Sequence, residues 1–207
     1  MNVFIVYAHP EPKSMNGLLK NKAIELFQSK GHQIMVSDLY DMDFIATIKP
    51  SEFPFYQDDF FDLQQFQSQS QELNKVPIYI KEEHAKLKWA DLVVFQFPLW
   101  WYSVPAIMKG YFDNVFSVGF AYAGNFELED KKYLLSFTTG APKSAWTEDK
   151  KGTIDELLFH LDNGIFNMLR MVRLKPFIGY GSKRLNEMER ENLLLEYGVY
   201  LSTILTE

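Results

Sequence analysis

Cysteine is absent from the 207-residue chain. That removes disulfides, thiolate metal ligands and cysteine nucleophiles together. Two phosphate-binding signatures are missing as well, G-x-G-x-x-G and G-x-x-x-x-G-K-[ST]. Their absence excludes a dinucleotide Rossmann fingerprint and a P-loop nucleoside triphosphatase. No apolar run approaches the roughly 20 residues that a membrane helix needs, and Met1-Asn2-Val3-Phe4-Ile5-Val6 lacks the basic start of a signal peptide. The expectation is a cytoplasmic protein that reaches a membrane only through a partner protein. Positive charge is scarce, with a net charge of −6 and a pI near 5.3, so nucleic acid is not an expected partner. There are four histidines. His32, His84 and His160 are scattered without a carboxylate or histidine at ligand spacing, so no metal site is expected. No internal repeat or low-complexity tract occurs.

Aromatic residues are abundant, with 18 Phe, 11 Tyr and 4 Trp, and the hydrophobic share of 47% is enough to build a core. The length and pattern predict one domain over residues 1–207. Residues 3–8 form a short β-branched run that ends at His9-Pro10, hence a first buried strand. Ser14-Met15-Asn16-Gly17 opens a helix with Leu18, Leu19, Ala23, Leu26 and Phe27 on its apolar face, stopped by Gly31 after Lys30. A second strand follows at 33–39, with Ile34, Val36 and Leu39 as inner positions. Residues 82–90 predict a helix leading into a strand at 92–96, and Ile107, Met108, Tyr111, Phe112, Val115 and Phe116 mark a helix begun by Pro105. A fourth strand is expected at 132–138, a long helix at 153–171, a fifth strand at 174–178 and a closing helix at 187–205. Alternating strands and helices predict an α/β three-layer sandwich, a five-stranded parallel sheet with helices on both faces.

The block at about 41–81 departs from this alternation. It is rich in Phe, Gln and Asp, and Phe53-Pro54-Phe55-Tyr56 and Phe60-Phe61 are too apolar for a plain solvated loop. Two accounts fit it equally: a cover for a ligand or partner subunit, or an irregular segment docked on its own core. The acidic Asp58-Asp59 and Asp62 read as solvated, as do Lys150 and Lys151. Arg190 is expected to pair with Glu187 and Glu189 on a helix surface, with the phosphate of a bound adenosine as a lesser alternative.

Three loops follow strands one, three and four, and all emerge at the carboxyl edge of the sheet, where open α/β folds bind ligands. The first, His9 to Gly17, puts Ser14, Met15 and Asn16 at a helix mouth that attracts anions, although Ser14 also fits a simple N-cap. The second, Pro98-Leu99-Trp100-Trp101-Tyr102-Ser103, places three consecutive aromatic rings where turns are ordinarily polar. The third, Thr138-Thr139-Gly140-Ala141, offers small residues and a close backbone approach. An anion site, an aromatic platform and a small cradle at one edge fit a flavin.

At these residues the chain resembles the flavodoxin-fold NAD(P)H:quinone oxidoreductase family. Ala8-His9-Pro10, Ser14-Met15-Asn16, the block from Gln96 to Phe116, Phe120-Ala121-Tyr122 and Thr138-Thr139-Gly140 carry the likeness, which covers nearly the whole chain. The resemblance implies that His9, Ser14, Met15 and Asn16 embrace the flavin phosphates. It implies that Pro98, Leu99, Trp100 and Trp101 line the ring system, and that Thr138, Thr139, Gly140 and Ala141 contact its pyrimidine edge. Tyr102 would lie on the substrate side, and Tyr122 would border the pocket across a homodimer interface. The implied cofactor is FAD, on the strength of the 41–81 insertion, with FMN as the alternative. The implied activity is two-electron hydride transfer from NAD(P)H to a small-molecule quinone. A Tyr and a His that assist this reaction in mammalian members fall, without gaps, on Trp146 and Gly152. Backbone amides and water, Lys143, Ser144 or His160 would then take over. Three alternatives use the same fold: a flavodoxin-type electron carrier, a regulatory flavoprotein subunit of a potassium efflux system, and an α/β domain that has lost its cofactor.

Overall fold

The computed structural model describes residues 1–53, 55 and 60–205. Six strands, β1 (Asn2–Tyr7), β2 (Gln33–Asp38), β3 (Leu92–Pro98), β4 (Lys132–Thr138), β5 (Val172–Arg173) and β6 (Phe177–Gly179), form one sheet. All pairings are parallel, in the order β2-β1-β3-β4, and both β5 and β6 pair with β4. The helices are α1 (Met15–Ser29), α2 (Leu63–Glu72), α3 (Ile78–Trp89), α4 (Ala106–Val115), α5 (Ile154–Leu161) and α6 (Glu187–Ile204). Among the described residues no helix is long and apolar enough to cross a membrane.

The central strands are covered on both faces, and the period-2 alternation of a strand divides their side chains between two cores. Val3, Ile5, Tyr7, Leu92, Val94 and Leu134 pack against Leu19, Ala23 and Phe27 of α1 and Tyr197 and Leu201 of α6. Phe4, Val6, Val93, Phe95, Phe97, Leu135 and Phe137 face Leu87 of α3, Met108, Tyr111, Phe112 and Val115 of α4, and Leu158 and Leu161 of α5. This is the expected α/β sandwich.

Four local readings change. The fifth strand position is split. β4 residues 132 and 133 pair with 172 and 173, whereas 136–138 pair with 177–179, so one extra residue bulges out near Pro176, whose ring nitrogen cannot donate to the ladder. The helix expected at 153–171 ends at Leu161 and passes into a π-helical turn, Asp162–Phe166. Asp162 is held there by Tyr133 Oη at 2.7 Å and Arg173 Nε at 3.1 Å. Helix α3 starts at Ile78, four residues early, directly after Pro77. In β2, Val36 is exposed and Ser37 is buried. Ser37 and Tyr111 donate to the fully buried Glu83 carboxylate at 2.8 and 3.1 Å, and Lys86 Nζ pairs with it at 2.6 Å. This edge strand is therefore tied to α3 and α4 by a polar cluster rather than by its valine.

The 41–81 block folds on itself. Asp62 caps α2 by accepting from Gln64 N–H and Gln65 N–H, and Phe53, Phe55, Phe61 and Phe66 pack ring on ring at 5.3–6.3 Å. Phe44 reaches Tyr79 and Tyr111 of the core, while Phe60 is exposed. Pro54, Tyr56, Asp58 and Asp59 lie outside the described residues.

His84 on α3 is buried, stacks on Phe120 with ring centroids 3.5 Å apart, and its Nε2 lies 2.8 Å from Val115 O. Burial, reinforced by nearby Lys88 and partly opposed by the Val115 contact and Glu127, lowers its pKa to about 4. The unfolded chain, titrating near 6.5, binds more protons between these values, so stability falls as pH drops through that window. Urea unfolding at pH 7 and pH 4 should differ by about 3 kcal/mol through this residue. The variant His84→Gln, which keeps a donor for Val115 O, should show a correspondingly flatter pH profile.

Candidate functional site

Strand β1 leads into α1 through a loop that Ser14 closes by accepting from Gly17 N–H at 3.2 Å. A Cβ at Gly17 would stand 1.9 Å from Pro12 O, so only glycine lets this loop fold so tightly over the helix start. Ser14 is thus an N-cap, and its hydroxyl also meets the Tyr7 phenol. The first N–H groups of α1 have no carbonyl one turn earlier to bond, and they carry the positive end of the helix dipole.

Asn16 behaves differently from its neighbours. Its side chain is buried and spent on the fold: Oδ1 accepts from Gln96 Nε2 at 2.8 Å and Nδ2 donates to Thr138 Oγ1 at 2.8 Å. Its contribution to any anion is therefore its backbone N–H. The second loop is joined to the third by Leu99 N–H, which donates to Thr138 O at 2.8 Å. The third loop is joined to the one after β6 by Thr139 N–H to Gly179 O, Gly181 N–H to Ala141 O and Ser182 N–H to Thr139 O, at 2.9–3.0 Å.

These loops enclose a crevice of about 510 Å³. Its walls include His9, Ser14, Met15, Asn16, Pro98, Leu99, Trp100, Trp101, Thr138 and Gly140, ten of the predicted residues. Thr139 and Ala141 stand behind the wall: Thr139 is buried and its Oγ1 donates to Ala141 O at 2.7 Å. Tyr102 lies outside the lining, with its ring edge-on to Trp146 at 5.7 Å. Tyr122 is elsewhere, on a groove of about 340 Å³ with Phe112, Phe116, Ile165, Met168 and Leu169. His160 Nδ1 lies 2.8 Å from Leu157 O and Nε2 lies 3.3 Å from Ser103 Oγ, so it steadies the aromatic loop from behind.

Lys13, Leu18, Ser182, Lys183 and Arg190 also line the crevice. The sequence reading missed the first four and gave Arg190 a surface pairing, with the phosphate of a bound adenosine as the alternative. Instead Glu189 forms a capping box with Asn186, and Arg190 Nε donates to Leu185 O at 3.2 Å. The lining thus holds two lysines and an arginine and no carboxylate, on a chain whose net charge is −6. Lys183 follows Gly181-Ser182, which reads in sequence as an ordinary turn; only the return of β6 beside β4 brings it here. His9 accepts from Glu11 N–H through Nδ1 at 3.0 Å, and burial pulls its pKa below the usual imidazole value.

The aromatic loop is a two-residue turn. Trp100 and Ser103 exchange both backbone hydrogen bonds at 3.0 Å, and the central residues Trp101 and Tyr102 have φ of +50° and +61°. This is the left-handed pair that ordinarily selects Asn-Gly, and it costs an L-residue about 1–2 kcal/mol. Strain of this kind is held at functional sites by the surrounding structure. The Trp101 indole is 97% exposed, so its own burial does not offset that cost. Trp101→Gly should therefore raise stability by about 0.5–1 kcal/mol, the relieved strain less the added chain entropy. Thermal unfolding should show a melting temperature about 2 °C higher, while the crevice loses its outer wall.

The flavodoxin-like fold family matches residues 1–201. The mouse protein ribosyldihydronicotinamide dehydrogenase [quinone] is 37% identical, over 99% of this chain and 92% of its own. Rat NAD(P)H dehydrogenase [quinone] 1 is 36% identical over 85% of this chain and 67% of its own. The crystal structure of a candidate quinone reductase from Klebsiella pneumoniae superposes with a TM-score of 0.91 at 33% identity, covering 99% of this chain and 85% of that one. With the sheet order, the crevice at its carboxyl edge and these relatives in agreement, the chain belongs to the flavodoxin-like fold family.

Proposed function

We propose that this chain is a flavin-dependent oxidoreductase that moves a hydride from a dihydronicotinamide, NADH or NADPH, to a quinone. The observation that carries this reading is a cationic crevice in an acidic protein that runs from a helix N-terminus past an exposed indole. Its residues fit a flavin. The wall at Gly140 leaves open space where a Cβ would stand, the phosphate end offers N–H groups and cations, and the far end is apolar. A bound flavin supplies the two-electron chemistry that amino-acid side chains lack.

The backbone N–H groups of Met15 and Asn16, the Ser14 hydroxyl and His9 hold phosphate oxygens. Lys183 and Arg190 provide a second cationic pair at the loop after β6 and on α6. Two such clusters match the pyrophosphate and adenosine of FAD better than the single phosphate of FMN. Pro98, Leu99, Trp100 and Trp101 keep water from the ring, and Thr138, Gly140 and the backbone they share with Thr139 and Ala141 present donors to its polar edge. Tyr102 borders the substrate. Tyr122, remote from the crevice of its own chain, reaches a substrate pocket only from a second copy. Exposed Met168 and Phe159, with the apolar groove at Tyr122, support a homodimer, and sedimentation should give twice the chain mass.

Purified protein should be yellow, release FAD on heating, bleach with NADH or NADPH and recover colour with menadione. A colourless protein that cannot be reconstituted with either flavin overturns the reading. The two mammalian relatives are named for different donors, so N-ribosyldihydronicotinamide belongs in the same assay. Gly140→Ala should weaken FAD binding about tenfold, an estimate for one intruding methyl, and leave the melting temperature of the apoprotein unchanged. Binding also takes up a proton, because a phosphate beside His9 favours the imidazolium that burial opposes. FAD affinity of the apoprotein should therefore rise as pH falls from 8 to 6, and His9→Asn should remove that dependence.

A further inference from the structure

Tyr102 is the second left-handed residue of the aromatic turn, and its ring is 45% exposed. Two side chains from the loop after β4 meet it. Trp146 closes on the ring edge, and Lys151 Nζ donates to Tyr102 Oη at 3.4 Å while lying 5.7 Å from the ring centroid. An ammonium has three donors and no lone pair. In this contact the phenol oxygen must accept, so its own O–H points away from Lys151. The nearby Trp146 Nε1–H is also a donor, buried and without a hydrogen-bond partner among the described residues. Neither neighbour can receive the phenol proton. The cluster is an oxygen held by a cation, with an O–H donor that neither neighbour accepts.

We propose that Tyr102 and Lys151 form a donor pair that recognises a carbonyl oxygen of the electron acceptor, and so selects quinones over apolar rings of the same shape. This rests on the quinone-reductase reading. In the overall reaction the dihydronicotinamide loses a hydride and leaves as nicotinamidium. The quinone gains those two electrons and that proton, and a second proton comes from solvent at the exposed mouth. Negative charge gathers on a quinone oxygen before that proton arrives, and a preset O–H donor is worth most at that moment. Tyr102 touches the acceptor; Lys151 acts through it as a positioning residue.

The test uses Tyr102→Phe, Lys151→Met and Lys151→Arg in the full chain. Dissociation constants for 1,4-naphthoquinone and for naphthalene are read by tryptophan fluorescence with no hydride donor present. Tyr102→Phe keeps the ring packing and should weaken quinone binding about five- to tenfold, the loss expected for one hydrogen bond, with naphthalene unchanged. Lys151→Met should weaken quinone binding about threefold, and Lys151→Arg should restore it. In stopped-flow, recovery of colour with quinone should slow in the same order, and by a larger factor in each variant than bleaching by NADH. Unchanged quinone affinity in Tyr102→Phe, equal losses for naphthalene, or no quinone binding by the wild type overturns the donor pair. If wild-type protein binds quinone in this pattern yet takes up no flavin, the donor pair stands and the quinone-reductase reading falls.

Discussion

A buried chain of three amides and hydroxyls fixes the carboxyl edge of this sheet. Gln96 on β3 donates to Asn16 at the start of α1, and Asn16 donates to Thr138 at the end of β4. Parallel strands share a direction but nothing in their ladders fixes where the following loops go. Here one side chain reads out two strands at once, so the anion-binding turn, the aromatic turn and the glycine cradle keep a common register. The arrangement is costly, since Gln96 Oε1 is buried without a hydrogen-bond partner among the described residues. That cost falls directly behind Asn16 and Thr138 of the crevice wall, where a rigid frame is most useful to a ligand.

The architecture was legible because its carriers are local. Residues 92–98 form a buried strand that is apolar at every position but Gln96, Ser14 and Gly31 bracket α1 by capping and by a φ of +79°, and strands alternate with helices in order. The parts that misled are those where distant groups overrule local pattern. The π-helical turn depends on Asp162 meeting Tyr133 and Arg173, and the inward turn of Ser37 depends on a carboxylate on α3. Helix α2 is too polar for an apolar stripe to announce it, and its clearest signal was the Asp62 cap. In the site, the aromatic loop and the helix mouth stand out in sequence because their residue types are unusual for turns. Lys183 and Lys151 do not, because a lysine near a glycine is ordinary until the fold shows what it faces.

Electrostatics and strain work in the same direction here. A chain with surplus negative charge keeps Lys13, Lys183 and Arg190 together around one opening, which draws anions to a single place on an otherwise repelling surface. A few residues away, two bulky aromatics occupy backbone that glycine or asparagine would fill more comfortably. Both are features that stability alone would remove, and both border the same crevice.

The extra residue near Pro176 has a lasting effect on what sequence change this fold tolerates. Because the pairing offset to β4 steps from 40 at Val172 to 41 at Phe177, the segment beyond it has opposite face parity to a continuous strand. A single deletion there would exchange Phe177, now packed beside Tyr197, with Ile178, which faces the other core, and would drag the Ser182-Lys183 turn back by one position. Length in this short stretch is consequently under tighter constraint than residue identity, and natural insertions and deletions should cluster on either side of it and not within.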